Sequence, residues 1–138
     1  MAERGKGVRG MSIWKKWLQR GITTAAMIVL ISMAASKAIT GWSSVLGFRT
    51  FYVMSESMEP EIMTHQIVIG EYLQEQETPQ IGQIYVYRQD GVFGGEMVIH
   101  RLIGITEDGL YQFKGDNNRY PDSIPVERES IGYRVIGY

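Results

Sequence analysis

The sequence contains no cysteine. That excludes a disulfide framework, a thiol nucleophile, an iron–sulfur cluster and any cysteine-based zinc site. Histidine is nearly as scarce. Only His65 and His100 occur, so a zinc centre built from three histidines is excluded too, and neither a metal nor another cofactor is expected. Charge of one sign is also lacking: the net charge over 138 residues is −1, but this hides two unlike regions. Residues 1–20 hold Arg4, Lys6, Arg9, Lys15, Lys16 and Arg20 against Glu3, which gives +5; residues 21–138 carry −6. An acidic main segment argues against nucleic-acid binding. Apolar residues make up 44%, an ordinary globular share that excludes disorder as the dominant state, and the length suits one domain plus a short appendage.

The first feature present is an apolar run. Gly21–Ser36 carries no charge, Lys37 interrupts it, and Ala38–Phe48 is again uncharged. A spanning helix needs about 20 apolar residues, and Lys37 near one end can reach the interface with its ammonium. Trp14 and Trp17 precede the run and Trp42 follows it, the placement of a membrane aromatic belt. A helix from Trp17 to Trp42 would extend roughly 38 Å at ~1.5 Å per residue, about a bilayer with its headgroups. The basic flank places the N-terminus in the cytoplasm and the remainder outside. The expected organisation is a basic cytoplasmic tail over 1–20, a transmembrane anchor over 21–46 and an extracytoplasmic β-rich domain over 47–138. A cleaved signal peptide ending near Ser32–Ser36 and a buried core helix are the competing readings.

After Phe48 the period changes to two. Gln66–Tyr72, Gln83–Arg88, Met97–Ile105, Leu110–Lys114 and Ile131–Ile136 read as strands. Turn residues separate them: Thr78-Pro79, Asp90-Gly91, Gly94-Gly95 and the hairpin signal Glu107-Asp108-Gly109. The fold class is mainly β: a small antiparallel domain on one N-terminal transmembrane helix.

Three segments carry groups with chemistry. In Tyr52–Pro60, Ser55 and Ser57 are two apart, so in an extended segment they point to one side. One hydroxyl can attack while the other donates to a developing oxyanion; the plain alternative is a solvated turn. His100 lies within the apolar strand Val98–Ile103 and is either a general base or a hydrogen-bonded, half-buried strand residue. His65, in a polar turn, reads as surface. Lys114–Asp122 then supplies two carboxylates, Asp116 and Asp122, on a loop after a strand. Either can orient a histidine. Asp116 directly follows Gly115 and is placed to accept the backbone N–H groups of Asn117 and Asn118, a bracing role. Asp122, beyond Pro121, is freer to reach the His100 strand and is favoured as the acid. A calcium loop is a poor fit because the alternating aspartates and distal glutamate are missing. Together the segments supply a nucleophile, a base and an acid in the order Ser, His, Asp. The G-x-S-x-G setting of an α/β-hydrolase is absent.

At these residues the chain resembles the type I signal peptidases. Ser55-Glu56-Ser57-Met58-Glu59-Pro60 is similar to their Ser-x-Ser-Met-x-Pro nucleophile motif. Ile99-His100-Arg101 resembles the His-Arg box of the endoplasmic-reticulum-type branch, which includes archaeal and some sporulating Gram-positive bacterial enzymes. Gly115-Asp116-Asn117-Asn118 followed by Asp122 resembles that branch's third box. The resemblance implies a membrane-anchored serine endopeptidase that removes signal peptides from exported preproteins. It implies Ser57 as nucleophile, His100 as base, Asp122 or Asp116 as orienting acid and Ser55 as oxyanion donor. The implied partners are preproteins, the lipid bilayer and the secretion machinery. Glu56 stands where many relatives have glycine, and many relatives carry a second membrane span beyond the point where this sequence stops, at Tyr138. A Ser–Lys dyad with Lys114 as base and a non-catalytic peptide-binding module are the alternatives. Phe51, Tyr52, Met54 and Met58, close to Ser57, are expected to dip into the membrane interface or line the substrate groove.

Overall fold

Alternating apolar and polar residues after Gly47 build one antiparallel sheet. The structure, a computed structural model, describes residues 13–40, 44–89 and 95–138. Its strands are β1 (Phe48–Tyr52), β2 (Ile67–Tyr72), β3 (Ile84–Gln89), β4 (Glu96–Ile105), β5 (Tyr111–Lys114) and β6 (Ile131–Gly137), in the sheet order β1-β2-β6-β3-β4-β5. Every neighbouring pair is antiparallel. The mainly-β reading holds, and five strands fall within a residue of where the alternation puts them. Strand β1 is an addition. Phe48, Thr50 and Tyr52 face outward from this edge strand while Arg49 and Phe51 are half-buried, so its bulky residues give no apolar-inward pattern to read.

Helix α1 spans Ile13–Thr40 and is long and apolar enough to cross a membrane. It begins before the expected anchor, with Trp14, Lys15, Lys16, Trp17 and Arg20 inside it. Lysine, arginine, glutamine and leucine are good helix formers, so the basic flank joins the helix. Residues 1–12 of the basic tail and Trp42 lie outside the described residues. The sheet does not cover α1, whose side chains are mostly exposed, and this overturns the buried-core-helix reading. Two contacts tie the helix to the start of the domain: Ser36 Oγ lies 2.6 Å from Ser44 Oγ, and the Leu46 N–H donates to Ser32 Oγ at 3.0 Å.

The sheet is covered on two faces. Four successive residues of β3, Ile84 to Tyr87, are buried, because alternate side chains enter different clusters. Ile84 and Val86 pack with Val53, Met58, Ile62 and Val68; Tyr85 and Tyr87 pack with Leu102, Phe113, Val126 and Ile131. The Glu107–Gly109 hairpin forms as read. Gly109 takes φ +81° and donates to Thr106 O at 2.9 Å, and Thr106 N–H donates to Leu110 O at 2.8 Å.

Gly70 of β2 is where the sheet tolerates no side chain. A Cβ there would stand 2.9 Å from both Phe51 Cε2 and Tyr133 Cβ, at the irregular step in β2–β6 pairing. Gly104 of β4 has open space around its Cβ position. Gly70→Ala is expected to lower unfolding free energy by about 1–3 kcal/mol through overpacking, with Gly104→Ala close to neutral, measured by urea denaturation in detergent.

Candidate active site

The segment that carries Ser55 and Ser57 is the loop from β1 to β2. One further backbone rung extends it past β1: Val53 N–H donates to Gln66 O at 3.0 Å and His65 N–H to Val53 O at 2.9 Å. Met58 and Ile62, one helical turn apart, are both buried in the core and hold the turn down, with Ile62 N–H donating to Met58 O at 3.0 Å. Glu59 receives the Thr64 backbone N–H and hydroxyl at 3.2 and 2.8 Å, and these bonds, the backbone one foremost, hold its carboxyl below the usual range. Ser57, next to the Met58 anchor, is half-buried. Ser55 Oγ is exposed and 3.1 Å from Ser57 Oγ, so the two hydroxyls share one side as the spacing implies.

Met58, at 1% exposure, is a core anchor that also lines the groove beside Ser57 with Tyr52 and Met54, so of the two expected roles it takes the groove one; Met54 is 85% exposed. Phe51 packs against the core and Tyr133, and Tyr52 is exposed with its hydroxyl 2.8 Å from His65 Nδ1. His65 is a surface residue, as read.

His100 points from β4 into the cluster that holds Tyr87 and Leu102, and is 7% exposed. Its Nε2 lies 3.1 Å from Ser57 Oγ and its Nδ1 2.8 Å from Asp122 Oδ2. Asp122 arrives there because residues 115–126 fold back along β5. Tyr111 and Val126 exchange backbone bonds of 2.8 and 2.9 Å, Asp122 N–H donates to Phe113 O at 2.9 Å, and Gln112 Nε2 donates to Asp122 O at 2.7 Å. The Tyr87 hydroxyl donates to Asp122 Oδ2 at 2.5 Å and lies 3.4 Å from His100 Nδ1. Burial acts to raise the Asp122 pKa, but the bonds from His100 and Tyr87 outweigh it and hold the carboxyl below its ordinary value. Burial first, and the Asp122 carboxylate second, push the Tyr87 hydroxyl far above its ordinary range.

Asp116 lies elsewhere. Its carboxylate takes Arg101 Nε at 2.9 Å and Arg101 Nη2 at 2.6 Å. Neighbouring strand residues face opposite ways, so the Arg101–Asp116 pair is on the face opposite His100. The expected acceptance of the Asn117 and Asn118 N–H groups is corrected: those donate to Ser57 O and Gly115 O, each at 2.9 Å. A guanidinium offering two parallel donors is the stronger partner for this carboxylate. Asp116 braces the loop through Arg101 instead, and Asn117 adds a second tie, its side-chain Nδ2 donating to Glu56 O at 3.0 Å. Gly115 is required by close approach, since a Cβ would stand 2.6 Å from Ser57 O. Lys114 pairs in register with Arg101 and so sits on the same face, away from His100.

A groove of about 630 Å³ runs past Ser57 between Tyr52–Ser55 and Glu96–His100. Strand β3 pairs with Glu96–Arg101 on one side, and β5 reaches only to Arg101 on the other. Among the described residues no strand occupies that second edge of Glu96–His100. Two contributors were not legible in the sequence. Tyr87 reads as one more core residue of an apolar strand, and Gln112 as a polar strand position. Among the described residues no cluster of acidic or histidine side chains suited to a metal ion occurs.

Residues 46–136 match the family model described as Peptidase S24-like. Signal peptidase I W of Bacillus subtilis (strain 168) is 29% identical over 120 residues, covering 85% of this chain and 62% of that protein. The chain therefore spans less than two thirds of that relative's length. No solved structure matches the chain. The relative bears out the signal-peptidase resemblance carried by the three boxes. With the family model extending over more than half of the chain and across all six strands, the chain belongs to the peptidase S24-like family.

Proposed function

We propose that this protein is a membrane-bound serine endopeptidase that cleaves signal peptides from exported preproteins. The observation that carries the reading is the hydrogen-bond chain from Ser57 Oγ to His100 Nε2 and from His100 Nδ1 to Asp122 Oδ2. In the proposed reaction Ser57 Oγ attacks the scissile carbonyl carbon and passes its proton to His100 Nε2. Asp122 stabilises the imidazolium and fixes the ring orientation. Ser55 turns its hydroxyl from Ser57 to the new oxyanion. The C–N bond breaks as His100 returns the proton to the leaving amine. Water, deprotonated by His100, then hydrolyses the ester on Ser57 and releases the signal peptide. The substrate lies extended in the groove and pairs with the open edge of Glu96–His100.

The relative's name supports the substrate class, and α1 supports the setting. A signal peptide is an apolar helix in the bilayer, cut where it emerges. An enzyme for that bond keeps its nucleophile near the same surface. The contacts of Ser32 and Ser36 with Leu46 and Ser44 tether the domain to the end of α1 and favour this placement. In this reading residues 1–20 are cytoplasmic, 21–46 form the anchor and 47–138 act outside.

Cleavage of a preprotein by the purified protein in detergent tests the chemistry. Ser57→Ala is expected to lose ~10⁴-fold or more in turnover and Ser55→Ala ~10²–10³-fold. His100→Ala should be inactive and Lys114→Ala largely active; the reverse would favour a Ser–Lys dyad. Asp122→Asn is expected to fold and to lose kcat on the scale of ~10⁴, whereas Asp116→Asn should mainly lower the unfolding free energy, by the ~1–3 kcal/mol of a weakened charged bond, seen as a lower Tm. A stable, inactive Asp116→Asn beside an active Asp122→Asn would reverse the two assignments. For topology, protease added outside spheroplasts should digest the β domain and spare the N-terminal tail. A mature N-terminus near residue 36, found by mass spectrometry, would show a cleaved signal instead.

A further inference from the structure

We propose that Tyr87 is a positioning residue for this reaction: its buried hydroxyl sets the direction of the hydrogen-bond chain that runs through Asp122 and His100 to Ser57. The inference rests on the reading of those three residues as the reacting groups. Tyr87 belongs to the central strand β3 and has no exposed surface. Its ring stacks on Phe113 with centroids 4.3 Å apart and planes at 18°, so packing alone decides where the oxygen lies.

The hydroxyl has one proton and two neighbours. Asp122 Oδ2, at 2.5 Å, is charged and close; His100 Nδ1, at 3.4 Å, is beyond a good hydrogen bond. The proton therefore goes to Asp122. Burial and the neighbouring carboxylate raise the phenol's pKa, which favours the protonated, donating form. Oδ2 then accepts from Tyr87 and from His100 at once. An ionised carboxylate oxygen can accept twice; a protonated one would set its proton against these donors. Asp122 is thereby kept as an anion, His100 must carry its proton on Nδ1, and Nε2 is left bare toward the Ser57 hydroxyl. The other ties to Asp122, from Gln112 and to Phe113, hold only its backbone. Orientation of the carboxylate thus falls to Tyr87 and His100. These are also the titratable groups that meet it, one from β3 and one from β4; β5 contributes the uncharged Gln112 and Phe113.

Tyr87→Phe keeps the ring and removes the donor. Asp122 then holds the Nδ1 proton more strongly and favours the imidazolium, so the acid limb of kcat/KM should move to higher pH. In the preprotein assay we expect a fall in kcat of about 10–100-fold, KM within about twofold, and an acid limb raised by about half a pH unit or more. A wild-type kcat with an unmoved limb overturns the inference. So does a loss of activity with a collapsed Tm and an unmoved limb, because that is packing alone. Ser57→Ala in parallel separates two failures: turnover by it removes the underlying active-site reading, while an inactive Ser57→Ala beside a wild-type-like Tyr87→Phe removes only this inference. A measurement on the unmodified protein covers a variant that does not fold. With two histidines in the sequence, ¹⁵N-histidine labelling gives two imidazoles, and His65→Asn assigns them. His100 should be protonated on Nδ1 above its titration; a proton on Nε2 instead overturns the inference.

Discussion

The site depends on a histidine placed on a buried face of a strand. An imidazole at 7% exposure needs partners for both ring nitrogens, because an unsatisfied buried polar atom costs roughly 1–3 kcal/mol. The chain meets that demand from two directions. The β1–β2 loop brings Ser57 to Nε2, and the segment after β5 brings Asp122 to Nδ1. Neither segment is regular structure, so each is held by something else. Met58 and Ile62 sink the first into the core, and a backbone rung between Tyr111 and Val126 pins the second.

The two segments are also tied to each other, independently of the histidine. Asn117 binds the carbonyls of both Ser57 and Glu56, and Gly115 lets the Ser57 carbonyl approach more closely than any side chain would permit. Arg101, the neighbour of His100 on β4, clamps Asp116 of the same segment from the opposite face and also donates to Gly82 O at 2.8 Å. One strand therefore serves two ends: His100 reaches Ser57 and Asp122 on one face while Arg101 secures their support on the other. The two aspartates, equivalent in the sequence as carboxylates on one loop, are separated by this alternation.

Period-two patterning made the sheet legible because most strands bury one class of side chain, and the Glu107–Gly109 turn is local chemistry. Strand β1 escaped because Phe48 and Tyr52 face outward from an edge. The start of α1 escaped because lysine and arginine extend a helix as readily as they flank one. In the site, Ser55, Ser57, His100, Asp116 and Asp122 stood out as reactive types in an ordered spacing. Spacing does not encode how the 115–126 segment folds back, so it could rank the aspartates without deciding between them. Met58 was expected at the interface or in the groove, and it lines the groove from a place in the core. Tyr87 was hidden because its ring does what any aromatic core residue does, and only its oxygen touches the site.

The central claim is that Ser57 is the atom source of a covalent intermediate in cleavage of a preprotein. It is tested most directly by acid-quenching the protein during turnover and mapping the ester by tandem mass spectrometry. The account predicts the signal-peptide fragment esterified to Ser57. An ester on Ser55 or on any other side chain would contradict it.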